Sequence, residues 1–213
     1  MADPLQRRAE LVVKLVFLAL ALAVAGFLVL TGWRQRSFEP VGEPVAQPIP
    51  FSHKHHVGDV GIDCRYCHTT VETSAFAGLP STGICLSCHS QLFKDQPMLA
   101  PLHESVASGK PIAWQRVHQL PDFVFFDHSV HLARGVACIE CHGRLDQMAL
   151  TWRVAPLQMQ WCVACHRDPA PHLHPHAQLT AMPPSRVGEA ETADLLRLLN
   201  DQRRRTDCST CHR

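Results

Sequence analysis

The sequence holds a single tyrosine, aromatic residues make up 7% of it, and 16 prolines and 11 glycines interrupt it. That mixture is poor in the residues that fill extended sheet, so little or no β-sheet is expected. Charge of neither sign is in excess: Lys and Arg number 20, Asp and Glu 19, for a formal net charge of +1. A nucleic-acid binder, which needs a basic excess, is thereby excluded. No cysteine precedes Cys64, which rules out a lipid anchor on an N-terminal cysteine. None is left over as a free thiol either, because all ten fall in five Cys-x-x-Cys-His motifs.

Those motifs are Cys64/Cys67/His68, Cys85/Cys88/His89, Cys138/Cys141/His142, Cys162/Cys165/His166 and Cys208/Cys211/His212. Cys-x-x-Cys pairs also build zinc sites and disulfide frameworks. Neither requires a histidine directly after every pair, whereas covalent haem c does. The two thiols form thioethers to the vinyl groups and the adjacent imidazole meets the iron. Five covalently bound haem c groups are therefore expected, with these ten cysteines as attachment points. His68, His89, His142, His166 and His212 are then the proximal iron ligands. No motif ends in lysine, the change that would mark an open catalytic iron, so electron transfer is the expected use.

Histidine occurs 15 times, leaving others to complete the irons. Phe51-Ser52-His53-Lys54-His55-His56 precedes the first motif, and Phe126-Asp127-His128-Ser129-Val130-His131 precedes the third. Residues three apart on a helical turn share a face, so each segment can serve two irons. His53, His56, His128 and His131 are the leading distal candidates, followed by His118. His55, His103, His172, His174 and His176 read as ordinary surface histidines. A thioether ligand would raise the potential of one haem, and Met159 and Met148 are the methionines placed for it, close to the fourth and third motifs.

From Leu15 to Trp33 no residue is charged, a run near the about 20 residues that a bilayer-crossing helix needs. It exceeds a usual signal-peptide core, so residues 1–36 are expected to be a cytoplasmic N-terminus and a retained transmembrane anchor, with the bilayer around residues 15–33. In bacteria covalent haem attachment takes place outside the cytoplasm, which puts the remainder on the periplasmic side of the inner membrane. Residues 37–50 carry four prolines and read as an extended spacer. Residues 51–90 form a first dihaem unit, 91–125 a connector, 126–170 a second dihaem unit, and 171–213 a C-terminal helix with the fifth site. The two dihaem units share one layout, which suggests duplication and pseudo-twofold packing. In the last segment a helix from Glu189 to about Arg203 is expected to bury Ala193, Leu195, Leu196, Leu198 and Leu199. About 36 residues per haem is too little polypeptide for a conventional apolar core. The haems are expected to be that core, with short helices after each attachment site and coil between them.

Taken together, the Phe-x-His-x-x-His repeats, the segment Trp114 to Asp122, the approach Pro156-Leu157-Gln158-Met159-Gln160-Trp161-Cys162 and the terminal Cys208-Ser209-Thr210-Cys211-His212-Arg213 resemble a known family, the pentahaem cytochrome c subunit of alternative complex III. The histidine repeat by itself is also similar to multihaem cytochromes of the c3 and c7 type. The resemblance implies an electron relay beside an iron-sulfur subunit, quinol-binding polytopic membrane subunits and a monohaem cytochrome c. It implies mostly bis-histidine irons, one possible His/Met iron, and electrons passing from quinol to cytochrome c or a terminal oxidase. A second reading, a small membrane-anchored quinol dehydrogenase feeding a periplasmic reductase, calls for a methionine two residues after an attachment histidine. Those positions hold Thr70, Gln91, Arg144 and Asp168. A third reading is a tethered electron shuttle outside any large complex.

Overall fold

The computed structural model describes residues 4–37, 41–199 and 202–212. The chain divides into two compact units, Met1–Pro40 and Val41–Arg213.

The first unit is helix α1 (Pro4–Ser37). Its stretch Arg8–Trp33 is long and apolar enough to cross a membrane. Its large side chains, among them Phe17, Leu22 and Val29, point outward. The Thr31 hydroxyl within that stretch donates back to the Phe27 and Leu28 carbonyls, so it needs no water. Anchors and signal sequences share these properties.

The second unit is built on short helices: α2 (Cys64–Cys67), α3 (Thr82–His89), α4 (Ala100–Ser108), α5 (His128–Ala133), α6 (Ile139–His142), α7 (Met159–Arg167), α8 (Glu189–Leu198), α9 (Gln202–Thr206) and α10 (Cys208–Cys211). A π turn, Lys54–Asp59, precedes α2. Among the described residues there is no strand, only the isolated bridges Pro44 to Trp152, Val124 to His212 and Val136 to Leu173. The expected scarcity of sheet is therefore found. The helices fall on the attachment motifs themselves, in α2, α3, α6, α7 and α10, not after them. The reason is local: one helical turn puts the two cysteines and the histidine of each motif on one face. Carboxylates start several of these turns, Asp63 accepting from the Arg65 N–H at 2.8 Å and Asp207 from the Ser209 N–H at 2.9 Å. Gly143 stops α6 directly after His142 with φ 67° and ψ −159°, a backbone conformation essentially reserved for glycine.

Among the described residues, buried apolar side chains gather in two small clusters. Val71, Leu132, Ala137 and Leu179 hold α5 and α6 against the loop after α2. Ile49, Leu99 and Leu102, joined by Cys85, Leu86, Ile112 and Trp114, hold α3 against α4. Leu102 and Leu173 are each 1% exposed, and burying such a side chain contributes about 1.5–3 kcal/mol. The two halves meet where the π turn packs on the turn Leu145–Gln147, with the Lys54 N–H donating to the Met148 carbonyl at 2.9 Å.

Two expectations need correction. The spacer does not stand free: from Val41 onward it is docked, the Gly42 N–H bonding the Arg153 carbonyl at 2.8 Å, the Val45 N–H the Thr151 carbonyl at 3.1 Å, and Ile49 entering the core. Its residues 38–40 lie outside the described residues. The C-terminal helix ends at Leu198, because Leu199 turns extended at ψ 141°. Of the proposed stripe only Leu195 is buried, against the bend at Gly135, while Ala193, Leu196 and Leu198 are exposed. The helix touches its neighbour along one ridge only. Asn200 and Asp201 lie outside the described residues.

Candidate functional site

The two Phe-x-His-x-x-His segments adopt nearly the same local geometry although one is a π turn and the other α5. Phe51 meets His53 edge-on at 4.9 Å and stacks on His56 at 4.4 Å. Phe126 meets His128 edge-on at 4.8 Å and stacks on His131 at 4.4 Å. In each, the phenyl ring fixes two imidazoles pointing apart.

Each of those second histidines, and His128, then lies opposite a motif histidine. The ring centres of His56 and His89 are 6.1 Å apart, those of His128 and His142 6.4 Å, and those of His131 and His166 6.1 Å. Two imidazoles on opposite sides of one metal, each bound at about 2 Å, have centres about 6 Å apart. The residues therefore fit a metal held between facing imidazoles.

Hydrogen bonding orients the rings for the same use. Nδ1 donates to a backbone carbonyl in His56 (Ser52, 2.8 Å), His131 (Asp127, 2.6 Å), His128 (Ala75, 2.8 Å) and His166 (Arg205, 2.8 Å). It does so as well in His68 (Gly78, 2.7 Å), His89 (Leu92, 3.0 Å) and His212 (Phe123, 3.2 Å). His53 pairs with the Thr151 hydroxyl at 2.8 Å. A proton fixed on Nδ1 leaves the Nε2 lone pair to bind iron, the usual outer-sphere arrangement for a ligating histidine. His118 contributes a further sign: its Nε2 is buried and has no hydrogen-bond partner, an orphan that a metal bond would satisfy. Its ring centre is 4.3 Å from that of His142, too close for the two to bind one iron from opposite sides.

Burial disfavours the charged form of these rings and pushes His53 and His118 down to about 4 and His142 to about 3. All three are neutral at physiological pH, as metal ligands must be. Burial pushes the Cys141 thiol up to about 12 and the Cys165 thiol to about 11, which leaves them poor thiolates for zinc or redox exchange. All ten cysteines are unpaired with one another. Among the described residues no group of three or more His, Cys, Asp or Glu side chains is gathered to hold a metal directly.

The attachment cysteines differ in depth. Cys64, Cys67, Cys85, Cys138, Cys141, Cys162, Cys165 and Cys211 are partly buried, but Cys88 and Cys208 are exposed. Cys88 departs from its partner Cys85 for a local reason. Helix α3 packs on α4 through Cys85 and Leu86, and Cys88 lies beyond that contact, at the end of the helix. The Cys88 Sγ has only a long contact of 4.0 Å from the Ser87 hydroxyl. Cys208 opens the last turn of the described chain, α10. The second and fifth motifs therefore each present one sulfur at the surface, while the third presents none.

The remaining histidines are used differently. His103 Nε2 donates to the Lys94 carbonyl and His176 Nε2 to that of Ala133, while His55 lies 3.4 Å from Asp59. His172 and His174 are not ordinary surface histidines. His174 is 2% exposed, with Nε2 on Glu140 Oε1 at 2.8 Å and Nδ1 on the Ser185 carbonyl at 3.0 Å, and His172 Nδ1 lies 2.6 Å from Glu140 Oε2. Burial raises the Glu140 carboxyl, but the bonds from His172 and His174 outweigh it and hold the carboxyl below its ordinary value. Both nitrogens of His174 face oxygen acceptors. The signal available in sequence was Glu140 itself, an acid between the two cysteines of a motif. Of the two methionines, Met148 is fully buried and Met159 is 65% exposed at the start of α7.

Comparison with known proteins agrees with this geometry. Residues 124–213 match the family model described as cytochrome c7 and related cytochrome c. A 125-residue stretch, 58% of the chain, is 40% identical to the menaquinone reductase multihaem cytochrome c subunit of Nitratidesulfovibrio vulgaris. The chain covers 53% of that relative's length. With its cysteines in Cys-x-x-Cys-His pairs, imidazoles facing one another across metal-sized gaps, and a body of helix and coil, the chain has the fold of a multihaem cytochrome c carrying covalent haem c.

Proposed function

We propose that this chain is a membrane-anchored, periplasmic pentahaem relay in quinone-linked electron transfer, a subunit of a quinol-oxidising complex of the alternative complex III type. The observation that carries the reading is the set of three imidazole pairs at 6.1–6.4 Å. Haem iron in such sites supplies reversible one-electron chemistry. The cysteines of the five motifs form the thioethers, the exposed Cys88 and Cys208 included, and His68, His89, His142, His166 and His212 are the proximal ligands. His56 completes the second site, His128 the third and His131 the fourth, while His53, which feels the charge of His68, completes the first. His118 is a further distal ligand through its orphaned Nε2, with Met159 and Met148 the thioether candidates.

The polypeptide's work is to fix the rings by their Nδ1 bonds and exclude water around His142 and His118. The partners in this reading are an iron-sulfur subunit, quinol-binding polytopic membrane subunits and a monohaem cytochrome c, with cytochrome c or a terminal oxidase as acceptor. A second reading is favoured by the 40% identical relative, whose name is that of a menaquinone reductase subunit: the same relay feeding electrons into the quinone pool.

The test is the membrane complex purified in mild detergent. Mass spectrometry and a pyridine haemochrome assay should count five covalent haems on this chain, and menaquinol should reduce them. Reduction of menaquinone by an added low-potential cytochrome, without the reverse reaction, favours the second reading. A chain with the mass of the bare polypeptide, or one that runs alone and oxidises menaquinol unaided, overturns the proposal.

A further inference from the structure

The contacts between motifs do not follow sequence order. The Tyr66 hydroxyl of the first motif meets the Ser87 hydroxyl of the second at 2.9 Å, and His56, which faces His89, stands three residues after His53, which feels the charge of His68. The first motif is also pinned to the third. Cys64 Sγ contacts the Thr180 carbonyl at 3.9 Å, Thr180 Oγ1 donates to Asp63 Oδ2 at 2.7 Å, and the neighbouring Leu179 carbonyl accepts from the Cys138 N–H at 3.0 Å. Cys64 and Cys138 are thus both held on the one segment Leu179–Thr180. The third and fourth motifs are joined through α5, whose His128 faces His142 and whose His131 faces His166. The fourth is joined to the fifth by a reciprocal pair of bonds: His166 Nδ1 donates to the Arg205 carbonyl at 2.8 Å, and Arg205 Nε donates to the His166 carbonyl at 3.1 Å. Arg205 stands just before Cys208 of α10.

We infer that electrons cross the protein in the order second, first, third, fourth, fifth motif, or its reverse, with the Cys64 and Cys138 sulfurs forming the junction between the two halves. The second motif, Cys85/Cys88/His89, and the fifth, Cys208/Cys211/His212, are then the two ends, facing the quinone-handling partner and the one-electron carrier. Burial agrees with this, because the two exposed attachment cysteines, Cys88 and Cys208, belong to those two motifs. The order rests on the five-haem relay proposed above. At each junction one iron(II) gives up one electron and its neighbour, iron(III), takes it. No bond is made or broken and no proton is required to move. Electrons enter from the quinol/quinone couple at one end and leave to a one-electron carrier at the other, or run the opposite way.

The experiment is an NMR-monitored redox titration of the full chain in detergent. A charge placed on one iron acts most strongly on its immediate neighbour in a low-dielectric interior. The wild-type protein should therefore show two end sites with one strongly interacting partner and three inner sites with two. Substitutions His89→Met, His142→Met and His212→Met each mark one site by raising its potential. His89→Met should displace the midpoint of the first site alone, His142→Met those of the first and fourth, and His212→Met that of the fourth. A site with three strong partners in the wild type, or His89→Met acting chiefly on the third or fourth site, overturns the order. Five haems with a different interaction pattern defeat the order alone, whereas fewer than five on the wild type defeat the relay reading and the order with it.

Discussion

Gly58 lies in the π turn that carries His55 and His56, where that turn packs on Leu145–Gln147. A Cβ at this position would come 2.4 Å from the Asp146 carbonyl oxygen. Non-bonded carbon and oxygen settle no closer than about 3.3 Å, so Gly58→Ala forces one backbone segment back by about 0.9 Å. The obstacle is main chain, and no side-chain rotation relieves it. Overpacking of this kind costs about 1–3 kcal/mol. For a protein of 150–250 residues each kcal/mol lowers Tm by about 2–4 °C, so an apparent Tm lower by about 2–12 °C is expected. The assay is thermal denaturation of the fully haem-loaded protein in detergent at one scan rate, with the low-spin visible spectrum followed in parallel. Gly83→Ala serves as a control of opposite sign. It lies inside α3, its Cβ would meet only Ser81 Oγ at 3.8 Å, and alanine there should stabilise by about 0.5–1 kcal/mol. A Gly58→Ala protein that melts within about 1 °C of wild type would show that the contact between the halves is slack and the reasoning wrong.

Glu140→Gln removes the carboxylate that bonds both His172 and the buried His174, and loss of about 2 kcal/mol is expected at pH 7, read as a lower apparent Tm. Because the Glu140 carboxyl is held below its ordinary value, its contribution is present above the unfolded carboxyl pKa and fades as pH falls. The difference between wild type and variant should therefore shrink in acid. Asp63 behaves likewise: its bond from the Arg65 side chain, the largest influence, brings the carboxyl down to about 2. Asp63→Asn should lose about 1 kcal/mol at neutral pH, a figure kept small because the carboxylate is 42% exposed, and nothing further below pH 2. His118→Ala should convert one haem from low to high spin in the EPR spectrum, whereas His103→Ala, whose Nε2 is already bonded to the Lys94 carbonyl, should leave the spectrum unchanged.

The attachment motifs stand out in the sequence because their residues are contiguous: five residues on one turn suffice. Their depth does not, and Cys88 shows why, since its exposure depends on where the contact of α3 with α4 stops. The two histidine-rich segments were legible for the same reason as the motifs, their three-residue spacing fixing a face whether the turn is α or π. What was not legible depends on segments brought together from afar. The docking of residues 41–49 on Thr151 and Arg153 is carried by backbone groups, which sequence does not distinguish. The burial of His174 depends on Glu140, 34 residues away, so composition alone counted it among the exposed histidines. The leucines of α8 show the converse: helical period was present, but a partner surface existed for only one of them.

The carbonyls that orient the imidazoles come from unequal distances along the chain. His68 and His89 use Gly78 and Leu92, both close by and both downstream. His128 and His212 use Ala75 and Phe123, which already lie behind them in the chain, whereas His166 depends on Arg205, 39 residues ahead. As the chain is made N-terminus first, the His68 and His89 rings meet their carbonyls within ten residues of being made. The His166 ring is therefore aligned only once α9 has been made, and a truncation before Arg205 would leave it unsteered.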